Sequence, residues 1–239
     1  MKKFGIGMVF LIGIFTVCTS CLVYINTVIG NGVMKTSERT VSSFEKIHIT
    51  GSAEVRFYKA EEIKVVVTVD SNLDEYVDIV TKNHVLEIGS KKGSYSFTKY
   101  LVEVYSPVLT GVSVSGSGSF TGYDILTAST FEAAISGSGN FSGTIENEVF
   151  TAKISGSGRI TVLGNAGESN INISGSGRFI GNDFCVKKAA VNVSGSGNAR
   201  VYVTDRLDAT ISGSGRIEYS GNPPTVNSKI TGSGRINKL

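Results

Sequence analysis

Six times the sequence Ser-Gly-Ser-Gly returns in this chain, at 115–118, 136–139, 155–158, 174–177, 194–197 and 212–215. Thr231-Gly232-Ser233-Gly234 makes a seventh copy. Successive starts are 21, 19, 19, 20, 18 and 19 residues apart. Gly/Ser runs ordinarily make flexible linkers, but a linker gives no reason for apolar residues at fixed offsets on both sides. Here the pairs Val112/Val114, Ala133/Ile135, Ala152/Ile154, Ile171/Ile173, Val191/Val193, Ala209/Ile211 and Ser228/Ile230 lead into the copies. Ser113, Ala134, Lys153, Asn172, Asn192, Thr210 and Lys229 stand between the members of each pair. In-out-in alternation of this kind marks a half-buried strand. A second apolar position follows each copy by two residues: Phe120, Phe141, Ile160, Phe179, Ala199, Ile217 and Ile236.

Each repeat is therefore a strand, a tight corner, a second strand and a more variable return. A period near 19 with apolar positions in register means stacked coils, each closing its core only against its neighbours. Parallel strands joined by crossovers favour the right-handed sense. The expected fold is all-β, a right-handed parallel β-helix or solenoid with two main sheets, its repeats spanning 112–239. The corners fall at Gly116, Gly118, Gly137, Gly139, Gly156, Gly158, Gly175, Gly177, Gly195, Gly197, Gly213, Gly215, Gly232 and Gly234. Glycine supplies the positive φ or close approach that a sharp corner needs. A sandwich of antiparallel hairpins is the rival, but it predicts turns every 8–12 residues. The returns Tyr123–Thr130, Leu163–Ser169, Asp183–Lys188 and Asn222–Thr225 belong on one edge.

The leading half carries the same pattern in weaker form. Ile47 and Ile49 alternate into Thr50-Gly51-Ser52-Ala53, a degenerate corner, and Val55 and Phe57 alternate out of it. Ile63–Val69 and Leu101–Tyr105 read as strands, and a strand pair surrounds Lys82-Asn83. Thr36–Thr40 reads as a polar segment, Asn72–Asp78 as a helical turn or loop, and Lys91–Lys99 as an exposed loop.

Residues 1–20 have the layout of a lipoprotein signal: Lys2 and Lys3, an apolar run from Phe4 to Val17, then Cys18-Thr19-Ser20-Cys21. The segment before Cys21 resembles a bacterial lipobox, with Cys18 in place of the usual Leu. Acylation at Cys21 would anchor the chain in a membrane. An uncleaved membrane span from Phe4 to Ile29 is the rival reading. In the first reading residues 21–29 form a tether and 30–239 the folded domain. Either places the domain outside the cytoplasm, in the cell envelope, with the outer membrane favoured. Cys185, beside Phe184 and Val186, is expected to be a buried apolar residue.

Lys2 and Lys3 supply two of the three net positive charges, so the folded part is nearly neutral and no nucleic-acid binder is expected. The acids Asp124, Glu132, Glu146, Glu148, Glu168, Asp183, Asp205, Asp208 and Glu218 do not recur at one offset, so no stacked metal site or carboxylate pair is expected. His48 and His84, in separate strands, have no nucleophile pattern near them. No catalytic residue, metal or cofactor is assigned. One ladder stands out: Ser119, Asn140, Arg159, Arg178, Asn198, Arg216 and Arg235 each follow a corner directly. It is either a solvated edge that discourages association or a strip that grips an anionic glycan. Lys238-Leu239 follows the last corner closely, leaving that end as a candidate site for self-association.

The repeated Ser-Gly-Ser-Gly corners, Gly30-Asn31-Gly32, Ile49-Thr50-Gly51-Ser52 and the leader together resemble the bacterial head GIN domain proteins, auto-transporter adhesin heads widespread in Bacteroidetes. The resemblance covers about residues 30–239. It implies a pectin-lyase-like right-handed β-helix, no established enzymatic activity, and a role in cell adhesion; the partner expected is a glycan or surface protein. The leader departs from the pattern, standing where true autotransporters carry a membrane β-barrel. A carbohydrate-active enzyme on the same fold and a structural envelope protein are the alternatives.

Overall fold

The computed structural model describes residues 27–239. The expected leader, the lipidation site Cys21 and most of the expected tether lie outside the described residues. Nine strands make up the leading half: β1 Thr27–Ile29, β2 Met34–Arg39, β3 Lys46–Gly51, β4 Glu54–Lys59, β5 Lys64–Asp70, β6 Val77–Lys82, β7 Val85–Ser90, β8 Ser94–Ser96 and β9 Tyr100–Ser106. A single 3-10 turn, Asp74–Tyr76, separates β5 from β6. Nine more follow in the repeats: β10 Gly111–Gly116, β11 Ser119–Gly137, β12 Asn140–Gly156, β13 Arg159–Gly175, β14 Arg178–Gly195, β15 Asn198–Gly213, β16 Arg216–Ser220, β17 Thr225–Gly232 and β18 Arg235–Lys238.

Every strand pairing among the repeats is parallel, which rules out the hairpin sandwich. Gly116 lies opposite Gly137, Gly137 opposite Gly156, and so on through Gly175, Gly195, Gly213 and Gly232. Gly51 lies opposite Gly116, so the degenerate Thr50-Gly51-Ser52-Ala53 is the first corner of the same ladder. The chain is a β-solenoid. Its inward positions are the apolar ones of the sequence pattern: Val114, Ile135, Ile154, Ile173, Val193 and Ile211 are buried on the way into the corner, and Phe120, Phe141, Ile160, Phe179, Ala199 and Ile217 on the way out. Aromatic rings stack between coils in the early repeats, with Phe120 and Phe141 centroids 5.3 Å apart and their planes nearly parallel. Each such side chain contributes roughly 1.5–3 kcal/mol when buried, but only once the neighbouring coil is in place.

The returns differ from expectation. They are not separate loops in β11 to β15: each strand runs on for 16 to 19 residues, through the return and into the next corner. Differences in coil length are absorbed by bulges, as between Thr121 and Ile125 or Gly181 and Cys185. Each inserts extra residues on one strand without ending the ladder.

The leading half closes one end of the coil stack. β3 pairs with β7, and β4 with β9, in parallel. β7 then turns back antiparallel to β6, and β9 pairs antiparallel with β5, which pairs antiparallel with β2. Asn83 and His84, both at positive φ, form the two-residue turn between β6 and β7. His84 is thus a turn residue and not the strand residue expected. The polar Thr36–Thr40 segment is largely strand β2, hidden in the sequence because none of its residues is buried. Likewise Lys91–Lys99 contains β8, which pairs with β1, so Thr27–Ile29 is strand and not tether. Cys185 is exposed, against expectation; Phe184 and Val186 take the inward positions on either side of it.

A buried carboxylate ties this cap together. Asp70 is fully buried and accepts hydrogen bonds from the backbone N–H groups of Gly32 (2.8 Å) and Thr98 (2.8 Å). Burial alone would raise its pKa; the backbone donors outweigh that and hold it below the usual carboxylate value. The far end of the stack has no such cover among the described residues: β17 is exposed along its whole length, with Ile230 45% accessible.

Candidate binding strip beside the corners

The corner geometry decides what faces solvent. At Gly156 φ is +114°, and a Cβ there would sit 2.6 Å from the Gly137 carbonyl oxygen. That same carbonyl accepts a hydrogen bond from the Ser157 N–H at 2.9 Å. The second glycine, Gly158, is buried, and a Cβ would meet Ile135 Cγ2 at 2.5 Å. The first glycine lets the backbone turn and the second lets it lie flat on the coil below. Since Gly158 and Ile160 both point inward, Arg159 between them must point out.

The same logic repeats up the stack. Ser119, Asn140, Arg159, Arg178, Asn198, Arg216 and Arg235 form one outward column, each in register with the next. Arg159 and Arg178 are direct neighbours, one strand spacing of about 4.8 Å apart. Both are exposed, as are Arg216 and Arg235. Among the described residues Arg159, Arg178 and Arg235 have no carboxylate within ion-pair distance.

Reading the column alone misses part of the surface. Period two places the third residue after each corner on the same face, and there stand Ile180, Arg200 and Glu218. Arg200 Nε donates to Glu218 at 2.6 Å, and Arg216 reaches the other Glu218 oxygen at 3.8 Å. Between Arg178 and Arg216 the shorter Asn198 leaves a bay of about 400 Å³, lined by these residues. Glu218 is therefore not a scattered acid: the alternation that turns the arginines outward turns it outward beside them.

On the other side of the corner ladder, a shallow groove of about 520 Å³ runs along the first serines of the corners, from Ser115 to Ser212. His48 Nδ1 lies 2.5 Å from Ser113 Oγ in the adjoining depression. The acids are dispersed, and several are paired with bases: Glu132 with Lys153, Glu168 with Lys188, and Asp208 with Arg206. No group of three or more His, Cys, Asp or Glu side chains able to hold a metal occurs among the described residues. No helix there is long and apolar enough to cross a membrane.

The fold and its surface define a parallel β-solenoid with a cationic outer strip. The chain belongs to the family described as "Putative auto-transporter adhesin, head GIN domain", which matches residues 43–223. Among solved structures it is similar to one titled a putative lipid binding protein from Parabacteroides distasonis, at 30% identity and a TM-score of 0.76, covering 89% of this chain and 99% of that one. A structure titled a putative adhesin from the same species shares 28% identity at a TM-score of 0.74, covering 90% of this chain and 100% of that one. A third, titled a putative adhesin from Bacteroides fragilis, has a TM-score of 0.83 at 20% identity, covering 89% of this chain and 100% of that one, and speaks to the fold alone. No functionally curated protein matches the chain.

Proposed function

We propose that this is a non-enzymatic surface-interaction protein of the bacterial envelope, held to a membrane through Cys21, whose exposed solenoid binds an anionic glycan along the strip of Arg159, Arg178, Asn198, Arg216 and Arg235. The observation that carries the reading is the register of the arginines. Four of them, with Arg200 as a fifth, present cationic donors on one face of successive coils, where among the described residues Glu218 is the carboxylate they meet. Like charges one strand apart repel, so the arrangement costs stability unless an anion bridges it. Guanidinium groups donate two parallel hydrogen bonds to a carboxylate or sulfate, which gives orientation as well as attraction. The family and the adhesin-titled relatives support a role in attachment. A lipid-anchored domain of this kind would act at the cell surface or within the envelope.

The test is a glycan array comparing wild type with an Arg159→Ala, Arg178→Ala double variant. Acidic glycans should bind the wild type in a salt-sensitive way and the variant at least ten-fold more weakly. Equal binding by both proteins would remove the strip from the account.

A further inference from the structure

The strip is not uniform, and the depression over Asn198 has a shape that the charge count alone does not explain. Resting on the reading of the strip as an anionic-glycan surface, we infer that the bay over Asn198 is a subsite for one acidic sugar residue, with its carboxylate held between Arg178 and Arg216. The two arginines lie two coils apart, about 10 Å at the usual strand spacing. Asn198 between them is shorter, so the bay opens where a third arginine would have closed it.

Size argues for a sugar. About 400 Å³ is far more than a bare anion needs and falls in the range of small-ligand sites. The lining has three chemistries at once. Arg178 supplies a guanidinium with no carboxylate partner among the described residues. The Asn198 amide both donates and accepts, which suits ring hydroxyls. Ile180 is a half-buried apolar surface on the same wall, against which a C–H face of a pyranose packs.

Glu218 fixes how the site is tuned. Its carboxylate is largely sheltered, 15% exposed, and is bound firmly by Arg200 at 2.6 Å but only loosely by Arg216 at 3.8 Å. It acts as a resident anion that keeps Arg216 oriented into the bay while leaving its hydrogen-bonding capacity mostly free. An incoming carboxylate competes with Glu218 for Arg216 and meets no competitor at Arg178. An acidic peptide offers the same charge but not the hydroxyls that Asn198 reads.

The experiment measures binding of oligogalacturonate to the full-length protein by biolayer interferometry, beside its carboxyl-reduced form and polyglutamate. Wild type should bind oligogalacturonate at least ten-fold more tightly than either control. Asn198→Arg adds a positive charge while filling the bay, and should weaken oligogalacturonate binding ten-fold or more. Asn198→Ala, which leaves the bay open, should weaken it only a few-fold, and Glu218→Gln should strengthen it. Both asparagine variants must keep the wild-type circular dichroism spectrum, and Asn198→Ala serves as the check on the fold. Binding by Asn198→Arg equal to or tighter than wild type would overturn the subsite while leaving a charge-reading strip intact. Equal affinity for polyglutamate would overturn the sugar assignment. No binding of any acidic glycan by wild type would instead overturn the strip reading beneath it.

Discussion

Replacing Gly156 by alanine should destabilise the middle of the stack, and the cost follows from the corner. A non-glycine residue at φ +114° is strained by roughly 1–3 kcal/mol. The new Cβ would lie 2.6 Å from the Gly137 carbonyl oxygen, closer than any relaxed contact. To relieve it the two coils must part, and the Ser157 N–H to Gly137 bond at 2.9 Å is the first to lengthen, at about 1 kcal/mol. Together these give roughly 3 kcal/mol or somewhat more. With a urea slope of ~2 kcal/mol per molar, the midpoint should fall by about 1 M or more. Urea unfolding followed by circular dichroism measures it. Ser157→Ala, at an exposed position of the same corner, should change stability by no more than about 0.5 kcal/mol. Gly232→Ala creates the same clash, 2.5 Å from the Gly213 oxygen, but in the last coil, whose strand β17 is exposed throughout. Terminal coils fray below the global stability, so it should move the midpoint much less. A Gly156→Ala midpoint within about 0.3 M of wild type would refute the account of the corner. Equal losses at Gly156 and Gly232 would refute the picture of coils stabilised by neighbours on both sides.

Two further outcomes concern buried polar groups. Asp70 has a folded pKa below its ordinary 3.8, so it adds stability above that value and loses it as pH falls through the folded pKa. Asp70→Asn should therefore be less stable than wild type at neutral pH, with the gap closing below about pH 4; a gap independent of pH would show that the charge is not what ties the cap. Ser169 occupies an inward position with its Oγ buried and unpartnered among the described residues. Ser169→Ala should raise the thermal midpoint, by up to about 1 kcal/mol of stability, and a clear loss would mean the hydroxyl is satisfied.

Architecture was the most legible part of this chain. A four-residue motif returning every 18 to 21 residues, framed by apolar pairs, admits few folds, because period-two alternation on both sides of a fixed corner can bury its face only against another copy. The same periodicity puts Arg159 and Arg178 outward on adjacent coils. It failed where local sequence carries no burial signal. Strand β2 has no buried residue, and β8 is three residues long, so neither shows alternation. Apolar neighbours in sequence suggest a buried Cys185, but a strand sends neighbours to opposite faces, and the side chain is exposed.

What the sequence by itself determined was the coil, the corner and the column beside it, since these depend on spacing along one chain. Only the tertiary structure decided the rest. The antiparallel cap depends on strands far apart in sequence finding one another, and Asp70 earns its role only when Gly32 and Thr98 converge on it. Arg200 pairs with Glu218 because stacking brings successive coils to one strand spacing. The bay over Asn198 exists for the same reason: a short side chain becomes a cavity only when longer ones stand directly above and below it.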